Sequence, residues 1–269
     1  MMTARVNGED ARCIDALDRG LQFGDGLFET LALDRGAPRF IDWHIERLAD
    51  GARRLGIPLP DAALLRGEIA AAAPAERAVV KLILTRGAGE RGYRPPRHPQ
   101  PTRIVLGFPW PAWHASAWTD GVRVAWCRTR LGSNPGLAGI KHLNRLEQVL
   151  ARREWDDEAV AEGLMMDAED RVISGTQTNL FASIAGRWIT PALDRCGVAG
   201  VMRRAFMAWS AEQGETVIER PLPAAELAAA AGLVLTNALI GAWPVRELAG
   251  RAYAVDPRAD RFNAWVGRQ

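Results

Sequence analysis

GIKHLNRLEQVLARR, residues 139–153, places a lysine immediately ahead of a helical pattern. The spacing predicts a helix from about Leu143 to Trp155, with Leu143, Leu146, Val149 and Leu150 inward and Arg145, Glu147, Arg152 and Arg153 outward. Lys141 then stands just before that helix or in its first turn. Lysine is scarce here: of the 34 basic residues only Lys81 and Lys141 are lysines, and all the others are arginine. A guanidinium stays protonated and cannot act as a nucleophile, whereas an ε-amine can. A chain so biased toward arginine keeps lysine where the amine itself matters; the plain alternative is two surface lysines that survived by chance.

Outward from this block the chain reads as an α/β or α+β protein in two parts. Toward the N-terminus, Asp42 to Gly56 is a predicted helix, capped by Asp42, with Ile45, Leu48, Ala52 and Leu55 on one face and Gly56 and Pro58 as the stop. VVKLILT (79–85) and RIVLGF (103–108) are predicted strands around a glycine-rich RGAGERGYRPP. PWPAWHASAWTD, rich in small residues and prolines, reads as a linker. The expected division is a smaller N-terminal α/β domain over 1–110, a linker over 111–120, and a larger C-terminal domain over 121–269 that carries Lys141. In that second part, NLFASI and RWIT flank Ala185-Gly186 as a hairpin, and GVAG (197–200) precedes a helix from Val201 to about Gln213. TVIER and GLVLT are further strands.

Composition removes several classes. Apolar residues make up 48% and charged residues 25%, as in an ordinary globular protein. The net charge of +2 comes from interleaved signs, with no basic stripe, so nucleic-acid binding has little electrostatic support. No run of 18 apolar residues occurs, and MMTARVNGEDARC has no apolar segment, so neither membrane spanning nor secretion is expected. Cys13, Cys127 and Cys196 are odd in number and lack metal-ligand spacing, which reads as reduced cytoplasmic thiols and no metal site. GAGERG (87–92) runs into Tyr93-Arg94-Pro95-Pro96 and opens no helix, so it is no dinucleotide fingerprint. There is no G-x-S-x-G and no Walker A lysine. Two features suit a phosphate instead. Gly200 before a predicted helix leaves the Val201 and Met202 amides unpaired, and Arg47 points away from its helix's apolar face, where a solvated arginine is the default.

DRGLQFGDGLFET (18–30), HIERL (44–48), GIKHLNRLEQVLARR (139–153), SGTQTNLF (174–181), GVAGVMRRAF (197–206) and TNALIGAWPV (236–245) resemble, in this order, the blocks of the aminodeoxychorismate lyases. The likeness spans nearly the whole chain. It implies the two-domain pyridoxal-phosphate (PLP) fold type IV shared with D-amino-acid and branched-chain aminotransferases. It further implies a PLP lyase that turns 4-amino-4-deoxychorismate into 4-aminobenzoate and pyruvate. By position, Lys141 takes the place of the lysine that holds PLP covalently, and Arg47 that of an arginine on its phosphate. Val201 and Met202 match the amides at the phosphate-binding helix terminus, Asn237 another phosphate contact, and Thr30 a threonine near the reacting centre. Arg91 and Tyr93 are candidates for the substrate's carboxylates. Ser174 stands where the fold usually has a glutamate on the pyridine nitrogen, so that nitrogen is either less protonated or reached by another group such as Glu169. The resemblance also implies a homodimer acting on a small molecule. Two other readings stay open: a class IV aminotransferase acting on a D- or branched-chain amino acid, and a non-catalytic chain that keeps the fold.

With two lysines the covalent assignment has a clean test. Borohydride reduction of the PLP-loaded protein should leave a pyridoxyl adduct on Lys141, retained in Lys81→Ala and absent from Lys141→Ala. The reverse pattern, read by peptide mass spectrometry, would move the assignment to Lys81.

Overall fold

The computed structural model describes residues 2–269. The chain forms two compact bodies: the first reaches to Ala112 and includes Ile140–Asn144, and the second comprises Trp113–Gly139 and Arg145–Gln269.

In the first body β1 (Thr3–Val6), β2 (Glu9–Asp10), β3 (Gly26–Asp34), β4 (Ala37–Pro38), β5 (Ala78–Thr85) and β6 (Arg103–Pro109) form one sheet in the order β2-β1-β6-β5-β3-β4. All its pairings are antiparallel. Helices α1 (Arg19–Phe23), α2 (Ile41–Leu55) and α3 (Ala62–Ala71) complete it. Alternation along the strands sends Leu27, Leu31 and Leu33, with Val80, Leu82 and Leu84, to one face. There they form a core with Ile45, Leu48 and Ala52 of α2 and Leu65 and Ile69 of α3. α2 ends at Gly56 in the left-handed conformation, as its sequence predicts. Its start differs. Phe40 is the N-cap and makes no side-chain capping bond, while Asp42 lies inside the first turn and pairs with Arg66.

The second body holds β7 (Val122–Leu131), β8 (Val160–Asp167), β9 (Val172–Gly175), β10 (Asn179–Ile184), β11 (Arg187–Pro191), β12 (Val217–Arg220), β13 (Gly232–Asn237), β14 (Gly241–Leu248) and β15 (Arg251–Ala252). Their order is β12-β11-β10-β13-β14-β7-β8-β9, with β15 beside β14. The pairs β7–β8, β7–β14 and β11–β12 are parallel, so the sheet is mixed. The 185–186 turn has positive φ at both residues, as the predicted hairpin requires. Helices α4 (Ser116–Thr119), α5 (Leu146–Arg152), α6 (Val201–Glu212) and α7 (Arg258–Val266) belong to this body. Phe181, Trp188, Phe206, Trp209 and Phe262 form a contiguous aromatic core between the sheet, α6 and α7.

Three sequence expectations need correcting. The segment expected as a linker is largely part of the second body: the Trp118 Nε1–H donates to the Ile240 carbonyl at 2.9 Å, and Trp113 and Trp118 pack edge-on against Trp243. Lys141 belongs to the first body and not to the C-terminal one, because Ile140–Asn144 runs extended along the start of β3. The Phe28 N–H donates to the Lys141 carbonyl and the Leu143 N–H to that of Gly26, each at 3.0 Å. That pairing also delays the following helix, which spans Leu146–Arg152 and not 143–155. Of its expected inward residues, Leu146, Val149 and Leu150 are 76%, 53% and 52% exposed, so the periodicity marked an apolar face without a core beneath it in this chain.

Candidate active site

In the first body the reactive groups collect around β3. Phe28 and Thr30 lie on one face of that strand, and Glu29 on the other. The Lys141 Nζ stands 4.1 Å from the centroid of the Phe28 ring and the Lys81 Nζ 5.0 Å from it, within cation–π range. Lys81 is directly across from Thr30 in the β3–β5 register. Both lysines of the chain therefore meet at one ring. Lys81 is half-buried and not on an open sheet surface, and burial pushes its pKa down.

On the other face, buried Glu29 receives two residues of α2 that are three apart and so share a helix side. Glu29 Oε1 accepts from the Arg47 Nε at 2.8 Å, Oε2 accepts from its Nη2, and the His44 Nδ1 is 2.6 Å from Oε2. Burial alone would raise the Glu29 pKa, but the Arg47 charge and the hydrogen bonds from Arg47 and His44 outweigh it and bring the group from 4.5 down to about 2. Burial pushes the His44 pKa down; Glu29 opposes this, and the Arg47 and Lys141 charges add to it. At neutral pH the triad is thus a carboxylate, a guanidinium and a neutral imidazole donating its Nδ1–H. Arg47 is not a solvated arginine: its Nε–Nη2 edge is committed to Glu29, which fixes the plane of the guanidinium. Neither Glu29 nor His44 stood out in the sequence, because a carboxylate inside an apolar strand reveals its partners only when the strand meets its helix. Arg91 and Tyr93 are exposed on the loop after β5.

In the second body α6 starts at Val201 with Gly200 as N-cap and no side chain capping it. A Cβ on Gly200 would lie 2.1 Å from the Asn179 Oδ1, so glycine lets the helix start approach β10 closely. The Asn179 Nδ2 donates to the Val198 carbonyl at 2.9 Å. Directly opposite Asn179 in the β10–β13 register is Thr236. Opposed residues share a sheet face, so Thr236 turns toward the same helix start. Its hydroxyl is buried and has no partner among the described residues. Next along, the Asn237 Oδ1 accepts from the amides of Leu239 and Ile240 at 2.9 and 3.0 Å, which leaves its amide nitrogen as the end that donates elsewhere. Thr236 is thus turned toward the helix start at Val201 and Met202, a member that local sequence did not reveal, and Asn237 is its neighbour at the end of β13. A threonine in GLVLTN looks like ordinary strand filler until its cross-strand partner is known. An uncapped helix start and an orphan hydroxyl make a donor set for an oxyanion.

Ser174 is buried in β9, and its Oγ–H donates to the Gly175 carbonyl at 2.8 Å. Glu169 lies in the turn before β9, largely exposed and paired with Arg195 and Arg171. A second carboxylate here, buried Glu162, accepts from the hydroxyls of Thr176 and Thr178 and the amides of Gly163, Thr176 and Gln177.

Residues 26–248 match the family described as amino-transferase class IV. The chain belongs to that family. Among curated class IV relatives it is similar to an aminodeoxychorismate lyase of Vibrio harveyi, 35% identical over 93% of each chain. It is also similar to a putative branched-chain-amino-acid aminotransferase of Methanocaldococcus jannaschii, 30% identical over 91% of this chain and 86% of that one. Among solved structures it resembles 4-amino-4-deoxychorismate lyase from Pseudomonas aeruginosa, with 46% identity, a TM-score of 0.94, and coverage of 99% and 98% of the two chains. The class IV cofactor is PLP. Within the first body the Lys141 amine suits its aldehyde, and within the second the orphan Thr236 hydroxyl and the uncapped start of α6 suit a phosphate.

The Glu29 triad carries a pH dependence of definite sign. Because its folded pKa lies below the ordinary value, the stabilisation is fully present above about pH 4.5 and is lost as pH falls toward 2, with a size on the order of 3 kcal/mol. Denaturant titrations should show wild type more stable than Glu29→Gln at neutral pH, with the gap closing through that acid window. A gap that is constant with pH would mean that the carboxylate's charge is not the source.

Proposed function

We propose that this chain is a PLP-dependent lyase converting 4-amino-4-deoxychorismate to 4-aminobenzoate and pyruvate. The observation that carries the reading is the likeness, over nearly the whole chain, to the P. aeruginosa lyase, with Lys141 in place. PLP, when bound, supplies an aldehyde that captures the substrate's amine and a ring that draws electrons from the carbon bearing it. The Lys141 Nζ would hold the cofactor and would take the proton from that carbon. The bond from the ring to the enolpyruvyl oxygen then breaks, pyruvate leaves, and the remaining ring becomes aromatic, which makes the reaction strongly downhill. Thr30 is assigned to orient that proton transfer, a reading supported by the strand face it shares with Phe28, the ring under Lys141. Arg47, held by Glu29, and the donors at Val201, Met202, Thr236 and Asn237 are assigned to the cofactor phosphate. Arg91 and Tyr93 are assigned to the two carboxylates of the substrate.

Ser174 separates lyase from transaminase. A hydroxyl that donates to a backbone carbonyl cannot keep a pyridine nitrogen charged, and transamination depends on that charge more than an aromatising elimination does. The three cysteines are free thiols, which fits a cytoplasmic setting. No helix among the described residues is long and apolar enough to cross a membrane. The exposed Leu146, Val149 and Leu150 of α5 support a homodimer with this face buried between copies.

Pyruvate release from 4-amino-4-deoxychorismate, followed by a coupled dehydrogenase, should exceed turnover of D-alanine or a branched-chain amino acid with a keto-acid acceptor. Ser174→Glu should raise the transaminase rate relative to the lyase rate, and faster transamination by wild type would replace the lyase reading with its rival. In sedimentation, wild type should run as a dimer and Leu146→Asp/Val149→Asp as a monomer; a monomeric wild type would remove the dimer.

A further inference from the structure

Arg19, in α1, has no part in the roles assigned above, yet it is 3% exposed and fully engaged. Its Nε donates to the Asp25 carboxylate at 2.8 Å. Asp25 also accepts from the Arg86 Nε and Nη2 at 2.7 and 3.0 Å, and Arg86 donates onward to the Leu55 and Gly56 carbonyls at the end of α2. The other end of Arg19 reaches the loop after β5. Its Nη1 donates to the Gly92 carbonyl at 3.0 Å and its Nη2 to that of Tyr93 at 2.9 Å, with the Arg94 carbonyl 3.5 Å from Nη1. The guanidinium lies 4.8 Å from the centroid of Phe23, whose ring meets Tyr93 edge-on at 5.4 Å.

The stem of the same loop is tied to the residues around Arg19. The Arg19 N–H donates to the Gly87 carbonyl at 2.9 Å, the Gly89 N–H to that of Leu17 at 3.1 Å, and the Thr85 hydroxyl to the Asp18 carboxylate at 2.8 Å. Gly87 has φ +88°, and a Cβ there would fall 1.8 Å from the Gln100 carbonyl, so only glycine allows this path. Between stem and tip stands Arg91, which is exposed and makes no hydrogen bond or ion pair with the described residues. The loop is therefore ordered from beneath by a buried charge, while the guanidiniums of Arg91 and Arg94 stay exposed, and Arg91 is the one that lies between the anchored stem and the carbonyls held by Arg19. A loop fixed before binding loses less freedom when a ligand arrives.

We infer that Arg19 is a positioning residue that holds the 87–94 loop in the conformation presenting Arg91 to a substrate carboxylate, and so acts on substrate affinity and not on the chemical step. This rests on the lyase reading and on the place given there to Arg91. Removing the guanidinium would strand the carbonyls of residues 92 and 93 and leave Asp25 with one partner fewer.

The test uses PLP-loaded Arg19→Met, Arg19→Lys, Arg91→Ala and the double variant Arg19→Met/Arg91→Ala, with circular dichroism and cofactor absorbance as controls. Arg19→Lys, which keeps a buried cation but not the fork, serves if Arg19→Met does not fold. Trypsin should cut Arg91–Gly92 faster in both Arg19 variants than in wild type. KM for 4-amino-4-deoxychorismate should rise roughly tenfold or more, with kcat within about twofold. The double variant should be no worse than Arg91→Ala, since both remove one interaction. Unchanged cleavage, or effects that multiply in the double variant, would overturn the inference. So would an Arg91→Ala KM equal to wild type while pyruvate is still released, an outcome that leaves the lyase reading standing. If wild type releases no pyruvate, the lyase reading falls, and unchanged cleavage would independently sink the clamp.

Discussion

The site depends on five residues, Ile140–Asn144, lying extended against the start of β3. Their backbone bonds to Gly26 and Phe28 bring the Lys141 amine over the Phe28 ring and put Ile140 into the core behind the sheet. The same pairing uses up chain that would otherwise be helix, which is why α5 begins only at Leu146. Strand alternation then decides the rest of the first body. Phe28 and Thr30 turn to the lysines, while Glu29 turns to α2 and takes Arg47 and His44.

The two bodies handle charge differently. Around Glu29 a buried carboxylate fixes a guanidinium, and the net charge of the cluster is low because His44 stays neutral. At the start of α6 the Thr236 hydroxyl and the helix terminus supply donors without a formal charge. Neutral donors of this kind hold an oxyanion by orientation, so their strength depends on the strand register that aligns Thr236 with Asn179.

Much of this was readable before any coordinates. The hairpin at Ala185-Gly186, the stop at Gly56, the helix from Val201 and the scarcity of lysine all rest on local chemistry or on counting. What escaped rests on contacts between residues distant in sequence. Residues 140–144 could not be assigned to the first body because nothing in GIKHL specifies that His142 will bridge to Leu27, far upstream in the chain. Thr236 and Glu29 needed a register and a helix contact to become distinctive. Leu146, Val149 and Leu150 misled because amphipathic spacing identifies an apolar face without saying what covers it.

The chain's route has a consequence for ancestry. It passes between the two bodies three times, after Ala112, after Gly139 and after Asn144. A gene fragment ending at Ala112 would therefore encode a sheet whose strand β3 has an open flank at Gly26–Phe28, and a core lacking Ile140. Neither body is a cassette that recombination could lift out and rejoin to another protein. New specificities on this scaffold have to arise by substitution in place and by changes in loop length, with both halves inherited together.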